Sequence, residues 1–309
     1  MRSKTQPPSR VVSYLTFRPS RRRSLAIIMA AIVVLGSAMW MELAGQHDPQ
    51  MGTGNLFSWS RFESPAPPPS SRALVSTGKD LYLLNCAVCH GDAGQGDGWR
   101  ARFLYPKPRN FARGTYRFKT TQSGGLPTNG DLFRTMSVGL QGTAMPAWGD
   151  YLNEGDRWAL VAYIKTFSPY FREDPPGKPI PLGAAPDLTA ERVERGQRLY
   201  AKVGCADCHG PEGYGNGFAA SGMMDSFGVP ITPRNFHVVG EFKRGRTARD
   251  IALTINTGND GTPMPSFHGS LTNDQVWDLT SFVMSLPVEI PTFQNRGCPM
   301  MTQMPMGGK

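Results

Sequence analysis

The apolar side chains of this sequence recur with a helical period in three stretches, at residues 77–84, 154–164 and 272–286. In each stretch apolar positions return after three or four residues, which is the spacing of one buried face of an amphipathic helix. The segments around them lack the alternation of apolar and polar positions that is typical of strands. The pattern therefore predicts an all-α fold in which short helices are joined by long loops.

A fourth apolar stretch has a different character, because residues 24–41 carry no charged side chain. Its length falls within the about 17–25 residues that a helix needs to cross the hydrocarbon core of a membrane. Three arginines, Arg21 to Arg23, precede it, so the positive-inside rule places residues 1–23 in the cytoplasm and the body on the other side. We predict a single transmembrane helix at 24–43. A cleaved signal peptide is the alternative, and both export the body.

The rest of the chain contains an internal repeat with an offset of 119 residues. The run CAVCHG at 86–91 returns as CADCHG at 205–210, and GTAMP at 142–146 returns as GTPMP at 261–265. Such a spacing indicates the tandem duplication of one domain.

The repeat and the composition of the segments around it divide the chain into seven parts. Pro- and Ser-rich residues without either period predict a semi-rigid spacer before the first copy, and a proline-rich run predicts a linker between the copies. The predicted parts are a basic cytoplasmic tail (1–23), the anchor or signal (24–43), the spacer (44–71), a first domain (72–172), the linker (173–189), a second domain (190–289) and a Met-rich disordered tail (290–309).

The distribution of charge narrows the function classes. The chain has 33 Lys and Arg against 24 Asp and Glu, but seven of the bases lie in residues 1–23. The remaining 286 residues hold 26 bases and 24 acids, so the body is nearly neutral and a nucleic-acid partner is not expected. A mean hydropathy of −0.33 also excludes a polytopic membrane protein.

The two CxxCH runs are the signature of covalent haem attachment. Two thiols three residues apart reach the two vinyl groups of a porphyrin, and the histidine that follows presents its imidazole to the iron. A four-cysteine zinc site would need its pairs about 15–20 residues apart, and a thioredoxin-like pair would need a βαβ context. We therefore predict two haem c groups. The predicted thioether links are Cys86, Cys89, Cys205 and Cys208, and the predicted iron ligands are His90 and His209.

With these motifs each copy resembles a class I cytochrome c, and residues 72–289 together resemble a membrane-anchored dihaem cytochrome c. In that family the sixth iron ligand is a methionine on the loop before the last helix. Met145 and Met264 match it, each 55 residues after its histidine. The resemblance implies that both axial positions of each iron are filled, so we expect an electron carrier without catalytic residues rather than an enzyme. The competing methionines, none of them repeated, are Met136, Met223 and Met224.

A second repeated run, PRNF, returns at an offset of 125 and supplies further candidates. Arg109 and Arg234 are candidates for contacts with haem propionates, because a guanidinium fork suits a carboxylate. A solvated loop arginine is the alternative for both. Phe111 and Phe236 are candidates for packing on the porphyrin.

The remaining residues of interest have roles in packing or none that repeats. The resemblance implies a close contact of the first and last helices, which would involve Gly78, Tyr82 and Tyr163 in one copy and Gly196, Tyr200 and Phe282 in the other. Cys298 lies in the Met-rich tail, where a Cu(I) site and a disordered end with a free thiol both stay open. We interpret the histidines without a repeat partner as surface residues, and these are His47, His237 and His268.

Three functions are compatible with these sequence features. The leading hypothesis is an anchored carrier on the outer face of a bacterial inner membrane, with its haem domains in the periplasm. It would pass single electrons between a quinol-oxidising or dehydrogenase complex and a terminal oxidase or reductase. The second is the dihaem cytochrome c subunit of a larger membrane enzyme such as a cbb3-type oxidase. The run MPAWG at 145–149 resembles the sequence of that subunit. The third is a dihaem peroxidase. Such an enzyme needs one iron that can open a coordination site, and methionine ligands at both irons argue against it. The expected partners are redox proteins in or on the membrane.

Overall fold

The computed structural model describes residues 58–174 and 177–288, all of which belong to one compact unit. Its α-helices are α1 (Arg72–Asn85), α2 (Ala87–His90), α3 (Asn129–Val138), α4 (Glu154–Ile164), α5 (Tyr170–Glu173), α6 (Ala190–Lys202), α7 (Cys205–His209), α8 (Ala248–Thr257) and α9 (Asn273–Ser285). Single 3-10 turns lie at Ala101–Phe103, Trp148–Asp150, Lys165–Phe167 and Val239–Glu241. Within the two described ranges there are isolated β-bridges but no strand, so the predicted all-α class is confirmed there.

None of the helices in this part of the chain is long and apolar enough to span a membrane. The predicted transmembrane segment at 24–43 lies outside the described residues. The same holds for the basic tail, for the spacer up to residue 57, for His47 and for the Met-rich tail with Cys298.

Each copy of the repeat forms a helical domain, which we call domain 1 and domain 2, and each domain is closed by its first and last long helices. In domain 1, α1 crosses α4 at Gly78, where an added Cβ atom would overlap the carbonyl oxygen of Ala159. In domain 2, α6 crosses α9 at Gly196, where it would overlap the carbonyl oxygen of Asp278. Only glycine lets two backbones approach so closely, so the predicted contact between first and last helices is confirmed in both copies.

A buried tyrosine one turn further along ties each first helix to the segment that carries the CxxCH run. The hydroxyl of Tyr82 donates to the carbonyl of Gly91 at 2.7 Å, and that of Tyr200 donates to the carbonyl of Gly210 at 2.8 Å. Burial raises the pKa of both phenols, so both stay protonated donors. The rings also pack on the closing helices, with centroids 5.4 Å from Tyr163 and 5.0 Å from Phe282 respectively.

The two domains contact each other reciprocally, through equivalent loops. An added Cβ atom on Gly142 of domain 1 would overlap the carbonyl oxygen of Gly240 of domain 2, and one on the matching Gly261 would lie 3.4 Å from Cγ2 of Thr115. Thr115 and Gly240 are themselves equivalent, because each lies seven residues after the proline of its PRNF run. The interface therefore has approximate two-fold character and holds the turn before Met145 and Met264 in both domains.

Ion pairs across this interface are largely buried. Arg117 donates to the carboxylate of Asp225 at 2.8 Å, and Lys119 lies 2.5 Å from the carboxylate of Asp260. Burial lowers the pKa of Lys119, while the hydrogen bond to Asp260 raises it. Breaking a buried pair by removing one partner is costly, so these contacts hold the domains in one arrangement.

The end of the predicted spacer is packed against both domains, which its composition did not indicate. Trp59 is fully buried, and its indole N–H donates to Thr135 Oγ1 of domain 1 at 2.8 Å. Its backbone N–H donates to the carbonyl of Arg244 of domain 2 at 2.7 Å. From residue 58 onward this segment therefore belongs to the folded unit.

Candidate metal centres

The CxxCH runs fold as single turns of helix, α2 and α7, that follow directly on α1 and α6. Their four cysteines are unpaired thiols, and burial raises the pKa of Cys86 to about 12 and that of Cys205 to about 11. A reactive redox pair needs a lowered thiol pKa, so this arrangement does not fit the thioredoxin alternative. Among the described residues no group of three His, Cys, Asp or Glu side chains is gathered as a metal site, so the two pairs do not combine into a zinc centre either.

Each CxxCH histidine is oriented by a backbone carbonyl of the PRNF run. His90 Nδ1 lies 3.0 Å from the carbonyl oxygen of Arg109, and His209 Nδ1 lies 3.1 Å from that of Arg234. A carbonyl only accepts, so Nδ1 carries the proton and Nε2 keeps its lone pair for a metal. Burial lowers the pKa of both imidazoles, which favours the neutral ring that metal binding requires.

The phenylalanine of each PRNF run stacks on the same imidazole. Phe111 lies 4.5 Å from His90, and Phe236 lies 4.6 Å from His209, with interplanar angles of 19° and 20°. One repeated run thus provides both a hydrogen bond and an aromatic wall to each histidine. The sequence predicts only side-chain roles for this run, because a repeat does not show that a backbone carbonyl accepts from a histidine ring.

The arginine side chains of the run are partly buried cations, and 30% of the Arg234 side chain is exposed. Within the part of the chain that the structure describes, the guanidinium of Arg109 donates to no carboxylate or carbonyl. Burial and then Arg117 lower its pKa to about 10. The neighbouring hydroxyl of Tyr116 is buried without a hydrogen-bond partner among these residues. In domain 2, Arg234 donates to Glu241 at 3.4 Å, and burial lowers its pKa too.

These orphaned groups provide a test of whether a haem fits. A partly buried guanidinium and a buried hydroxyl, both without acceptors among the described residues, would be stabilised by an anion, and the propionate carboxylates of haem are anions of suitable shape. In domain 2, Lys243 adds a second cation beside Arg234, and its pKa falls to about 8 through burial and through the repulsion of Arg234 and Arg117. The donor sets of both domains therefore fit the group that the CxxCH runs predict.

The predicted methionine ligands are presented by two turns with the same hydrogen bonds. In domain 1 the Met145 carbonyl accepts from Leu140 N–H at 3.2 Å, and Met145 N–H donates to Thr143 Oγ1 at 3.1 Å. In domain 2 both bonds recur at 3.2 Å, with Asn259 and Thr262 as partners of Met264. Both methionine side chains are half-buried.

The competing methionines have different surroundings. Met136 lies on α3 and is buried in the core of domain 1 beside Phe133 and Trp158. Met223 and Met224 lie in a surface turn, where Ile231 N–H donates to the Met223 carbonyl and Met224 is half-exposed. None of these three methionines is matched by a methionine in the other domain.

One prediction about the histidines was wrong and another was confirmed. His268 is exposed, as expected. His237 is buried, and its two ring nitrogens each lie 2.8 Å from a carbonyl oxygen, of Pro287 and of Glu212. Its ring also stacks on Tyr214, with centroids 4.1 Å apart. His237 therefore ties the end of domain 2 to the loop after α7, a long-range role that an unrepeated histidine does not reveal.

Two thiols, a carbonyl-bound histidine, an anion-receptive arginine and a methionine turn occur together twice in this fold. That combination defines a c-type cytochrome with two haem groups.

A family model for cytochrome c matches residues 75–168 and 193–287, so the chain belongs to the cytochrome c family. It is 25% identical to the cbb3-type cytochrome c oxidase subunit FixP of Sinorhizobium medicae, over 80% of this chain and 72% of that protein. It is also 25% identical to the cbb3-type subunit CcoP of Helicobacter pylori, over 79% and 68% of the two chains. A solved chain from a reducing HAO-like protein complex of Kuenenia stuttgartiensis is 41% identical, with a TM-score of 0.67. That match covers 72% of this chain and all of the other.

These matches identify the cofactor and the activity. The protein binds two haem c groups covalently and transfers electrons through them.

Proposed function

We propose that this cytochrome is anchored by residues 24–43 on the outer face of a bacterial inner membrane and relays single electrons in a respiratory chain. It would connect a quinol-oxidising or dehydrogenase complex with a terminal oxidase or reductase. The observation that supports the proposal best is that both predicted protein ligands of the iron, a histidine and a methionine, occur in both domains. Each domain has a histidine with Nε2 free for iron and, 55 residues later, a methionine on the same hydrogen-bonded turn.

In this proposal His90 and Met145 bind the first iron, and His209 and Met264 bind the second, with thioether links from the four CxxCH cysteines. When bound, haem c supplies an iron that gains or loses one electron. With a histidine and a methionine as its two protein ligands, each iron would have no position open for a substrate, and transfer would be outer-sphere. The thioether sulfur favours ferrous iron and raises the potential. The reciprocal interface keeps the two sites in a fixed relation.

The ligand set predicts a specific spectroscopic result. Met145→His and Met264→His are each expected to remove about half of the weak near-infrared sulfur-to-iron band, and the double variant to remove all of it. A pyridine haemochrome assay should still count two haems per chain, because the cysteines are unchanged. Met136→Leu and Met224→Leu serve as controls that leave the band intact. A band that survives in the double variant would contradict the assignment.

The surface around α2 suggests what kind of partner delivers electrons to domain 1. Arg100 and Arg102 lie against the exposed rings of Trp99 and Phe103, at 5.3 and 4.9 Å, and Arg100 N–H donates to the carbonyl of Val88 on α2. The equivalent residues of domain 2 are Ala219 and Ser221, where Ala219 N–H donates to the carbonyl of Asp207 on α7. This arginine pair, which has no counterpart at the equivalent positions of domain 2, favours an acidic partner at domain 1.

A charge exchange between the copies tests this partner preference. Arg100→Ala/Arg102→Ser gives domain 1 the residues of domain 2 and should slow reduction by the iron(II)–EDTA dianion about three- to tenfold at low ionic strength. Reduction by the hexaammineruthenium(II) cation should become faster, and both effects should fade as salt is added. Arg72→Ala/Lys79→Ser removes the same charge from exposed positions of α1 and is the control. Equal rate changes in the two variants would rule out a specific role of this face.

A second candidate function is a fixed subunit of a larger redox enzyme, and the relatives favour it. Two of them are cbb3-type oxidase subunits, and the solved chain comes from a multi-protein complex. Native electrophoresis of membranes solubilised in mild detergent, with a haem stain, separates the two candidates. A band at the mass of this chain alone indicates a free carrier, whereas haem stain that comigrates with an oxidase or reductase activity indicates a subunit.

A further inference from the structure

The two methionine turns have the same backbone but differ at their first residue. Leu140 and Asn259 stand at equivalent places, each directly after the glycine of positive φ that ends α3 or α8. Each donates its backbone N–H to the carbonyl of its methionine at 3.2 Å. The Asn259 side chain makes one further contact, because its amide Nδ2 donates to the sulfur of Met264 at 3.7 Å. Leu140 carries no donor that could do the same for Met145.

The backbone of the turn fixes this contact. Thr262 Oγ1 donates to the Asn259 carbonyl at 2.8 Å and accepts from Met264 N–H at 3.2 Å. An added Cβ atom on Gly258 would crowd the backbone of Pro265 and Ser266, so the turn is closely packed from the other side as well. The turn therefore holds the backbones of Asn259 and Met264 close together, which keeps the amide within reach of the sulfur.

We propose that Asn259 is a positioning residue for Met264 that raises the reduction potential of the second haem. This inference rests on the proposed ligand role of Met264. A thioether sulfur has two lone pairs, of which one binds iron and the other accepts from the amide. The hydrogen bond withdraws electron density from the sulfur, which makes it a weaker donor to ferric iron and so favours the ferrous state. The half-buried surroundings strengthen the effect, because a hydrogen bond weakens less where water is excluded.

The difference between Asn259 and Leu140 predicts which of the two haems has the higher reduction potential. Two sites built from one duplicated frame would share an electron nearly equally if their environments were alike. Because only the Met264 sulfur accepts a hydrogen bond from a side-chain amide, the electron should reside more on the haem of domain 2. The electron that enters near the arginine pair of domain 1 is then drawn across the domain interface.

The test is a reciprocal exchange, followed by a spectroelectrochemical titration of both haems in the full chain. Asn259→Leu should lower the second potential by an amount equivalent to an about three- to tenfold change in the equilibrium for reducing that haem, and leave the first unchanged. Leu140→Asn should raise the first potential by a similar factor. The ε-methyl proton signal of Met264 in the paramagnetic NMR spectrum should also shift in Asn259→Leu, because the sulfur loses a fixed neighbour.

The near-infrared band separates the possible failures. If the band is intact in both variants and neither potential moves, the inference about Asn259 is wrong while the ligand assignment stands. If the wild-type band is already insensitive to Met264→His, the ligand assignment itself fails. Leu140→Asn remains informative even if Asn259→Leu lowers stability, because it adds a donor to domain 1 and leaves domain 2 unchanged.

Discussion

Replacing Trp59 by alanine is expected to remove about 3–5 kcal/mol of stability and to let the two domains unfold separately. The side chain is fully buried, and the guanidinium groups of Arg134 of domain 1 and Arg244 of domain 2 lie 4.5 and 5.0 Å from its ring. A cation close to an aromatic face is stabilised by the ring, more so where water is excluded.

Loss of the ring would also remove a contact that stabilises the buried guanidinium of Arg244. Arg244 is 3% exposed, and burial lowers its pKa to about 10. It donates to the carbonyls of Arg117 and Lys119 in domain 1, so it is itself part of the domain interface. Without Trp59 this buried cation would face a cavity. The loss of stability should therefore exceed the contribution of the buried area of one side chain.

The measurement is denaturant unfolding followed by far-UV circular dichroism and by haem absorbance. The wild type should give one coincident transition, and Trp59→Ala two that no longer coincide. Trp59→Phe should keep most of the stability and lose the hydrogen bond to Thr135, about 1 kcal/mol. Trp99→Ala is the matched control, because that ring is 58% exposed. A Trp59→Ala protein as stable as Trp99→Ala would contradict the role given to this residue.

The elements that the sequence predicted well are those with local signals. The closing helices expected at 154–164 and 272–286 are observed at Glu154–Ile164 and Asn273–Ser285. Their apolar period is visible in the sequence, and their N-caps are local, Asn153 for the first and a Thr272–Gln275 capping box for the second. The repeat likewise predicted which residues of the two copies are equivalent.

The features that it did not predict depend on residues distant along the chain. Trp59 stands in a Ser- and Pro-rich context, and its hydrogen-bond partner Thr135 lies 76 residues away. The partners of His237, Pro287 and Glu212, lie 50 and 25 residues away. Asn259 was visible as a difference between the copies, but only the folded turn shows that its amide meets the methionine sulfur. Periodicity and spacing describe faces and repeats, not which single side chains meet across a fold.

The largest effect of any variant is expected for Cys205→Ala/Cys208→Ala, which should leave domain 2 largely unfolded while domain 1 keeps its haem. Each domain has only about 100 residues and many loops, so its own side chains form a thin core. Cys205 and Phe236 are only partly buried at the edge of the domain 2 core, beside the imidazole of His209. Haem would supply the apolar surface that completes this side of the core.

One haem per chain and the loss of about half of the helical circular dichroism are the expected results. Cys298→Ala is the control, since Cys298 is the one cysteine outside the CxxCH runs and should leave two haems and a full helical signal. A full helical signal with a single haem would show that domain 2 folds without its cofactor.

The cysteine variant should also affect the stability of domain 1 through Trp59, whose ring packs in the domain 2 core. Because unfolding of domain 2 removes Arg244 and the rest of that core from the ring, domain 1 of the cysteine variant should be no more stable than domain 1 of Trp59→Ala.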